Sequence, residues 1–275
     1  MSSTRKFFIY LTTIIQCVDP YQLKSYNLNK HSQDVFDFDC LHTTRETIPV
    51  PHAFTVCYRQ KPISTHAPTW SKIFLGSLND DRSKIENGLD FSIWSSGPWI
   101  GLRSNTSTVW VGLGEESFDL LAWRHTCLSI DFVDGYSALA ENGKLQVEGN
   151  YEEIVLFKRT LSFNMNIISV GCAFAVYKES DVGIITDFQM FGRTLSHQEM
   201  KDWTGCSRRI YGDIINWDLE LWTLNTTGNS SEVEYLNMKS DICVRGNTSS
   251  HIFPLKTTFE KSLKLCEKVS GKLFE

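Results

Sequence analysis

The sequence predicts an all-β fold in which two antiparallel sheets pack into a sandwich. Short runs rich in β-branched and aromatic residues recur at close spacing along most of the chain, separated by Gly, Asn, Asp and Pro turn signals. Strands do not alternate with long helical patterns, which argues against a parallel α/β sheet. Asn142-Gly143 stands between two of the runs and predicts a two-residue hairpin turn. This regular spacing of short strands is typical of a sandwich.

Ten strands are predicted from these runs, at 54–59, 73–78, 89–94, 109–113, 123–132, 137–140, 144–147, 154–157, 167–174 and 184–191. One helix interrupts the series. Ser196 and Glu199 form a capping box, Met200 and Trp203 give an apolar stripe, and Gly205 marks the end. We predict a helix over 196–204 that packs as a lid on one end of the sandwich.

A disulfide is predicted between two of the strands. Cys127 lies in the middle of the alternating segment 123–129, and Cys57 lies in a second run with strand character. Because the bond would close a long loop, it would stabilise the fold by roughly 3–5 kcal/mol.

Charge and leader sequence predict export. Among 275 residues the net charge is −5, which argues against nucleic acid or an anionic membrane as partner. The one basic cluster, Arg208-Arg209, is predicted to be a solvated loop. Residues 1–17 combine Arg5-Lys6 with the apolar run 7–15, the pattern of a secretory signal peptide. No later stretch approaches 18 apolar residues, so we expect no membrane insertion by the sequence given.

Cysteine usage and glycosylation signals agree with an extracellular location, either secreted or in the ectodomain of a membrane protein. The sequence contains no Cys-x-x-Cys, which favours disulfides over zinc. Acceptor sequons predict glycosylation at Asn105, Asn225, Asn229 and Asn247.

Composition divides the chain into five segments. They are a signal peptide (1–17), an N-terminal arm or edge strand (18–50), the sandwich (51–224), a glycosylated linker rich in Asn, Ser and Thr (225–250) and a C-terminal segment (251–275).

His125-x-Cys127-x-Ser129, which follows a tryptophan and precedes a hairpin, resembles the signature of the pentraxins. The similarity continues through 182–191 and 212–217. It implies the jelly roll that pentraxins share with laminin-G-like and concanavalin A-like lectin domains, and recognition of carbohydrate or protein ligands. Residues 259–273, which include Cys266, resemble the first helix of a C-type lectin-like domain, but the sequence given is too short to complete that domain.

The resemblance also raises the question of calcium, through which pentraxins bind ligands. Glu86-Asn87 stands where the family has an Asp-Asn pair, and Glu179 stands where it has a Gln. However, 172–175 reads Cys-Ala-Phe-Ala where the family supplies a Glu-Gln-Asp run. Calcium needs six to eight oxygen ligands, so we expect at most one weakly bound ion and no other cofactor.

Cys172 stands at the start of this altered loop, and Cys206 follows the predicted helix. We predict a second disulfide between them, which would clamp the helix to the sandwich. The pairing of the remaining cysteines stays open; they are Cys40, Cys243 and Cys266.

No catalytic residue is predicted. Glu179-Ser180-Asp181 begins the carboxylate pattern of some jelly-roll glycoside hydrolases, but Ile184 stands where the third carboxylate is required. His125 lies within a strand beside a predicted disulfide, which favours a structural role. We therefore predict a non-catalytic extracellular recognition or adhesion module within a larger protein. The alternative is a free secreted, calcium-dependent lectin of the pentraxin type. Ligand identity and oligomeric state stay open.

Overall fold

Two antiparallel sheets make up most of the described structure. The computed structural model describes residues 22–28, 40–62, 69–78, 85–94, 97–103, 108–112, 122–157, 164–170, 183–225 and 233–243. Several predicted features lie outside these residues: the signal peptide 1–17, the C-terminal segment 251–275, Cys172, Glu179, Cys266, Asn105, Asn229 and Asn247.

The first sheet is antiparallel throughout its described pairings. Its strands are, in spatial order, β10 (Lys144–Asn150), β9 (Tyr136–Glu141), β8 (Arg124–Asp131), β3 (Ala53–Pro62), β12 (Gly183–Phe191), β1 (Gln22–Leu28) and β15 (Val233–Asn237), with the short β13 (Ile215–Asn216) paired to β12.

The second sheet is also antiparallel in its described pairings. Its strands are, in spatial order, β14 (Thr223–Asn225), β2 (Cys40–Pro49), β11 (Asn164–Val170), β4 (Thr69–Leu78), β5 (Ile85–Trp94), β6 (Gly97–Arg103) and β7 (Thr108–Gly112). The predicted two-sheet jelly-roll sandwich is confirmed.

The main core lies between the two sheets. Alternation along β3 directs Phe54, Val56 and Tyr58 into this core, where they meet residues of the second sheet such as Leu75 and Leu89. The intervening residues of β3 face the opposite, outer side of the first sheet. Each residue of β3 therefore belongs either to the main core or to a second layer outside the sheet.

That second layer is formed by the predicted helix. The helix α2 (His197–Thr204) begins after Ser196, whose side chain and Glu199 form the predicted capping box. Buried Met200 and Trp203 pack with Ala138 and other small apolar residues of the first sheet. The predicted helix is confirmed, although it covers the outer face of the first sheet and not an end of the sandwich.

A short helix replaces one predicted strand. Residues 154–157 belong to α1 (Glu152–Phe157), and Ile154 is fully buried while Val155 and Leu156 are exposed. The strand prediction was wrong because periodicity does not distinguish a four-residue apolar run in a strand from one in a helix. Two glutamates in the first turn interact favourably with the helix dipole.

The sandwich extends beyond the predicted 51–224 boundaries. Strands β1 and β2 come from the segment predicted as an arm, yet each has neighbours on both sides within a sheet. The predicted linker contributes β15 and a π-helical turn (Met238–Ile242). Leu23 and Ile242 form a small buried cluster there, so both segments bury apolar side chains in the fold.

Candidate functional site

The predicted calcium site extends beyond the described part of the chain, so it stays a prediction. The Glu86-Asn87 pair lies near the start of β5, where Asn87 is opposite Ser77 of β4. The third predicted ligand, Glu179, lies outside the described residues.

The first predicted disulfide is confirmed. Cys57 and Cys127 are directly opposite each other on β3 and β8, with their Cα atoms 4.1 Å apart and a bond between their sulfurs. Neither residue exposes any surface, and both lie in the apolar layer beneath α2.

The second predicted disulfide is wrong, because Cys206 is bonded to Cys243 and not to Cys172. Strand β15 pairs with β1, and the π-helical turn that follows β15 brings residue 243 close to the end of α2. The composition of the 225–250 segment had predicted a linker, so this return was not expected. Of the three cysteines left open, Cys243 therefore has its partner.

A buried group of polar and charged side chains adjoins this second bond. We call it the Arg59 cluster; its members are Arg59, His125, Asp187, Gln189, Arg209 and the Cys206–Cys243 disulfide. Its residues come from strands of the first sheet and from the segments that follow α2, and they lie on the outer face of that sheet.

Arg59 is at the centre of the cluster and has no exposed surface. Its Nε donates to Asp187 Oδ2 at 3.0 Å, and its Nη2 donates to the Trp203 backbone oxygen at 3.2 Å. Its Nη1 contacts His125 Nδ1 and donates to Cys206 Sγ at 3.1 Å. The guanidinium also lies 4.0 Å from the centre of the Trp203 ring, a cation–π contact.

A β-bulge brings Asp187 into contact with Arg59. Pairing between β12 and β3 shifts by one residue between Thr186 and Gln189, and Asp187 adopts a left-handed backbone with φ 53°. The carboxylate accepts from Arg59, from Arg209 at 2.8 Å and from Gln189 at 2.9 Å. Burial alone would raise the pKa of Asp187, but the two guanidiniums hold this pKa below its usual value.

His125 is held in its neutral form. Burial, together with the positive charge of Arg59, lowers the pKa of His125 to about 3. Because Nδ1 accepts from Arg59, we assign the ring proton to Nε2, and the ring also has a hydrogen bond with the Ile242 backbone. These contacts agree with the structural role predicted for this histidine.

Sequence reasoning missed the charged members of the cluster. Arg59 and Asp187 occupy outward positions of strands, where alternation predicts contact with water. Arg209, predicted to be solvated, has a side chain only 10% exposed that is paired with Asp187 and Asp218. Its neighbour Arg208 is exposed, as predicted. The apolar stripe of the predicted helix was a usable signal, since Met200 and Trp203 must be buried against part of the sandwich surface.

Comparisons with known proteins agree with this architecture. The sequence profile described as the pentaxin family matches residues 24–228. The chain belongs to the pentraxin (pentaxin) family. The match begins within β1 and ends after β14, so the pentraxin domain includes both strands that were predicted to form an arm. This family has a non-enzymatic binding fold. No curated protein sequence gave a significant match.

Solved structures show the same fold at low sequence identity. The native heptameric SAP-like pentraxin from Limulus polyphemus is 21% identical, with a TM-score of 0.61 over 82% of this chain and 100% of that one. The full extracellular region of zebrafish Gpr126/Adgrg6 is 16% identical, with a TM-score of 0.53 over 75% of this chain and 27% of that one.

None of the described helices of this pentraxin is long and apolar enough to cross a membrane.

Proposed function

We propose that this pentraxin domain is a non-catalytic extracellular recognition module of a larger secreted or membrane-anchored protein. It binds a carbohydrate or protein ligand without the paired calcium ions of the family. The observation that supports the proposal best is that each of the two buried carboxylates among the described residues is ion-paired with arginine inside the fold.

General acid or base catalysis needs a titratable group that can exchange a proton with a substrate. Among the described residues, the buried carboxylates are Asp187 and Glu141. Asp187 forms ion pairs with Arg59 and Arg209. Glu141 forms an ion pair with Arg124 at 2.5 Å. These charges stabilise the sandwich, which favours a scaffold for binding over a reaction centre.

An extracellular location accounts for the two described disulfides, since such bonds persist in oxidising compartments. We also propose that residues 1–17 form a cleaved signal peptide and that the Asn105, Asn225, Asn229 and Asn247 sequons are glycosylated. The proposal extends to residues 251–275, which would begin a further lectin-like domain.

A thermal melt in millimolar calcium or in chelator tests the calcium part of the proposal. A ligand at a hundred times its dissociation constant stabilises a fold by about 2.7 kcal/mol, so bound calcium would raise the melting temperature by several degrees. We expect no such shift. A shift that disappears in Glu179→Ala, but persists in the exposed control Glu46→Ala, would favour the free calcium-dependent lectin.

The ligand itself can be sought with arrays of glycans and extracellular proteins, probed in chelator. We expect binding that chelator does not weaken. Turnover of an arrayed glycan by the domain would contradict the non-catalytic part of the proposal.

A further inference from the structure

The two described disulfides lie in different surroundings. Cys57–Cys127 has no exposed surface and is enclosed by apolar residues. Cys206–Cys243 is only half-buried and joins residues 37 positions apart. Its sulfurs lie 3.1 Å and 3.7 Å from Nη1 of Arg59.

The charge balance beside Cys206–Cys243 favours an anion. Arg59 and Arg209 share the single buried carboxylate of Asp187, and the second acidic partner of Arg209, Asp218, is 41% exposed. The buried part of the cluster thus has more positive than negative charge. Because Coulomb interactions strengthen away from water, this excess would stabilise a thiolate at the disulfide.

We propose that Cys206–Cys243 is a thiol–disulfide exchange site for low-molecular-weight thiols. The thiolate of the small molecule attacks Cys243 Sγ, a new sulfur–sulfur bond forms there, and the bond to Cys206 breaks. Cys206 leaves as a thiolate. The exchange involves no net oxidation, because one disulfide and one thiolate give a mixed disulfide and another thiolate. Attack by Cys206 on the mixed disulfide reverses the step.

The geometry assigns Cys206 as the leaving group. Arg59 Nη1 is closer to Cys206 Sγ than to Cys243 Sγ, so the guanidinium would stabilise a thiolate at Cys206 more than one at Cys243. A thiol with a stabilised thiolate leaves faster in exchange, so attack at Cys243 is the favoured direction.

Reduction would also free two thiolates beside an imidazole, giving three potential metal ligands, since the ligand atoms of His125, Cys206 and Cys243 lie within 4.8 Å of one another. The guanidinium of Arg59 lies among these atoms, however, and repels a cation. We therefore assign the group to thiolate stabilisation and not to zinc.

The test is limited exchange of the folded full chain with reduced glutathione, followed by alkylation with iodoacetamide and peptide mapping. We expect Cys206–Cys243 to open at least about tenfold faster than Cys57–Cys127. We also expect glutathione on Cys243 and the alkyl group on Cys206. Equal opening rates, or glutathione found mainly on Cys206, would overturn the proposal.

Cys206–Cys243 could also open faster simply because it is more accessible to glutathione. Variants are therefore needed to distinguish the effect of the Arg59 charge from the effect of solvent exposure. Arg59→Gln should slow the opening of Cys206–Cys243 by roughly tenfold, because the leaving thiolate loses its positive neighbour. The control Arg193→Gln removes an exposed arginine paired with Glu199 at the start of α2 and should not alter the rate. An Arg59→Gln rate equal to that of the control would contradict the proposal.

If Arg59→Gln does not fold, the unaltered protein still provides a test. After partial reduction, the alkylation rate of Cys206 is followed against pH. A midpoint below the free cysteine pKa of about 8.5 supports the proposal, and a midpoint at or above it does not. Protection of both cysteines by added zinc would instead establish a metal site.

Discussion

The Asp187 carboxylate accepts a hydrogen bond from Arg59 at 3.0 Å between neighbouring strands, and neither side chain exposes any surface. The contact depends on the bulge in β12, where the left-handed backbone of Asp187 interrupts regular pairing with β3. Phe188, the next residue, packs in the core between the sheets. Ile185 and Phe188 both pack in this core although they are three residues apart, so the extra residue of the bulge leaves Asp187 on the outer layer and returns Phe188 to the core.

Replacement of Asp187 by Asn should destabilise the domain by roughly 3–5 kcal/mol, since two buried guanidiniums lose their shared anion. Asn tolerates the left-handed backbone, so this change isolates the charge. Urea unfolding monitored by tryptophan fluorescence gives the free energy of unfolding.

Asp187→Ala should cost about 1–2 kcal/mol more than Asp187→Asn, because alanine is disfavoured at φ 53°. The matched surface control is Glu46→Gln, which changes an exposed carboxylate of β2 to an amide and should cost less than about 0.5 kcal/mol. Similar losses for Asp187→Asn and this control would show that the buried pair contributes little.

Stability should fall in mild acid because of His125. Its folded pKa of about 3 lies below the unfolded value of 6.5, so between these values the unfolded chain binds a proton that the folded chain does not. The free energy of unfolding then decreases as pH falls, by about 1.4 kcal/mol per unit. From pH 7 to pH 4.5 we expect a contribution of roughly 3 kcal/mol, measured by urea unfolding at each pH.

His125→Gln removes this titration. The variant should be less stable at pH 7, because it disturbs the contacts with Arg59, but its stability should depend less on pH over the same interval. An unchanged pH dependence would mean that His125 takes up its proton at the same pH in the folded and the unfolded chain.

Gly212→Ala should destabilise the domain strongly. A Cβ atom at this position would lie 2.5 Å from the Met190 backbone oxygen and would also overlap the Ile215 oxygen, so the backbone would have to move. We expect a loss of about 3 kcal/mol in urea unfolding, the upper end for overpacking. In Gly192→Ala the nearest atom is the side-chain Cδ1 of Ile214 at 3.1 Å, and a loss below about 1 kcal/mol is expected. Equal losses would contradict this explanation.

Removal of the buried disulfide by the double change Cys57→Ala and Cys127→Ala should lower stability by about 4 kcal/mol. The bond closes a loop with a sequence separation of 70, which restricts the unfolded chain. Thermal and urea unfolding under non-reducing conditions measure the loss. A difference below about 1 kcal/mol would indicate residual structure or strain that offsets the constraint.

Local patterns predicted much of the sandwich. Alternation placed Cys57 and Cys127 on strands that are adjacent in the structure, and Ser196 with Glu199 predicted the start of α2. The Asn142-Gly143 turn also forms as predicted, with positive φ at both residues. Each of these features is determined by residues close in sequence or by a strong strand period.

Features that depend on long-range pairing were not predictable in the same way. The Cys206–Cys243 bond forms because β15 pairs with β1, whose residues are about 200 positions earlier. The polar composition around β15 predicted a linker. Alternation along their strands predicted that Arg59 and Asp187 face solvent. They are buried because α2 and the segments that follow it cover this face, and strand periodicity carries no information about that cover.

The Cys206–Cys243 bond also determines how mechanical tension would pass through the domain. A pull on the chain beyond residue 243 reaches the end of α2 directly through the two sulfurs, so the intervening strands β13, β14 and β15 are shielded from load. Once the bond opens, the same pull falls on β15, an edge strand whose described pairing is with β1. Antiparallel edge pairs can then break one after another. With the Cys206–Cys243 bond intact, the domain therefore bears the force through α2. With the bond reduced, it begins to unfold at the edge strand β15.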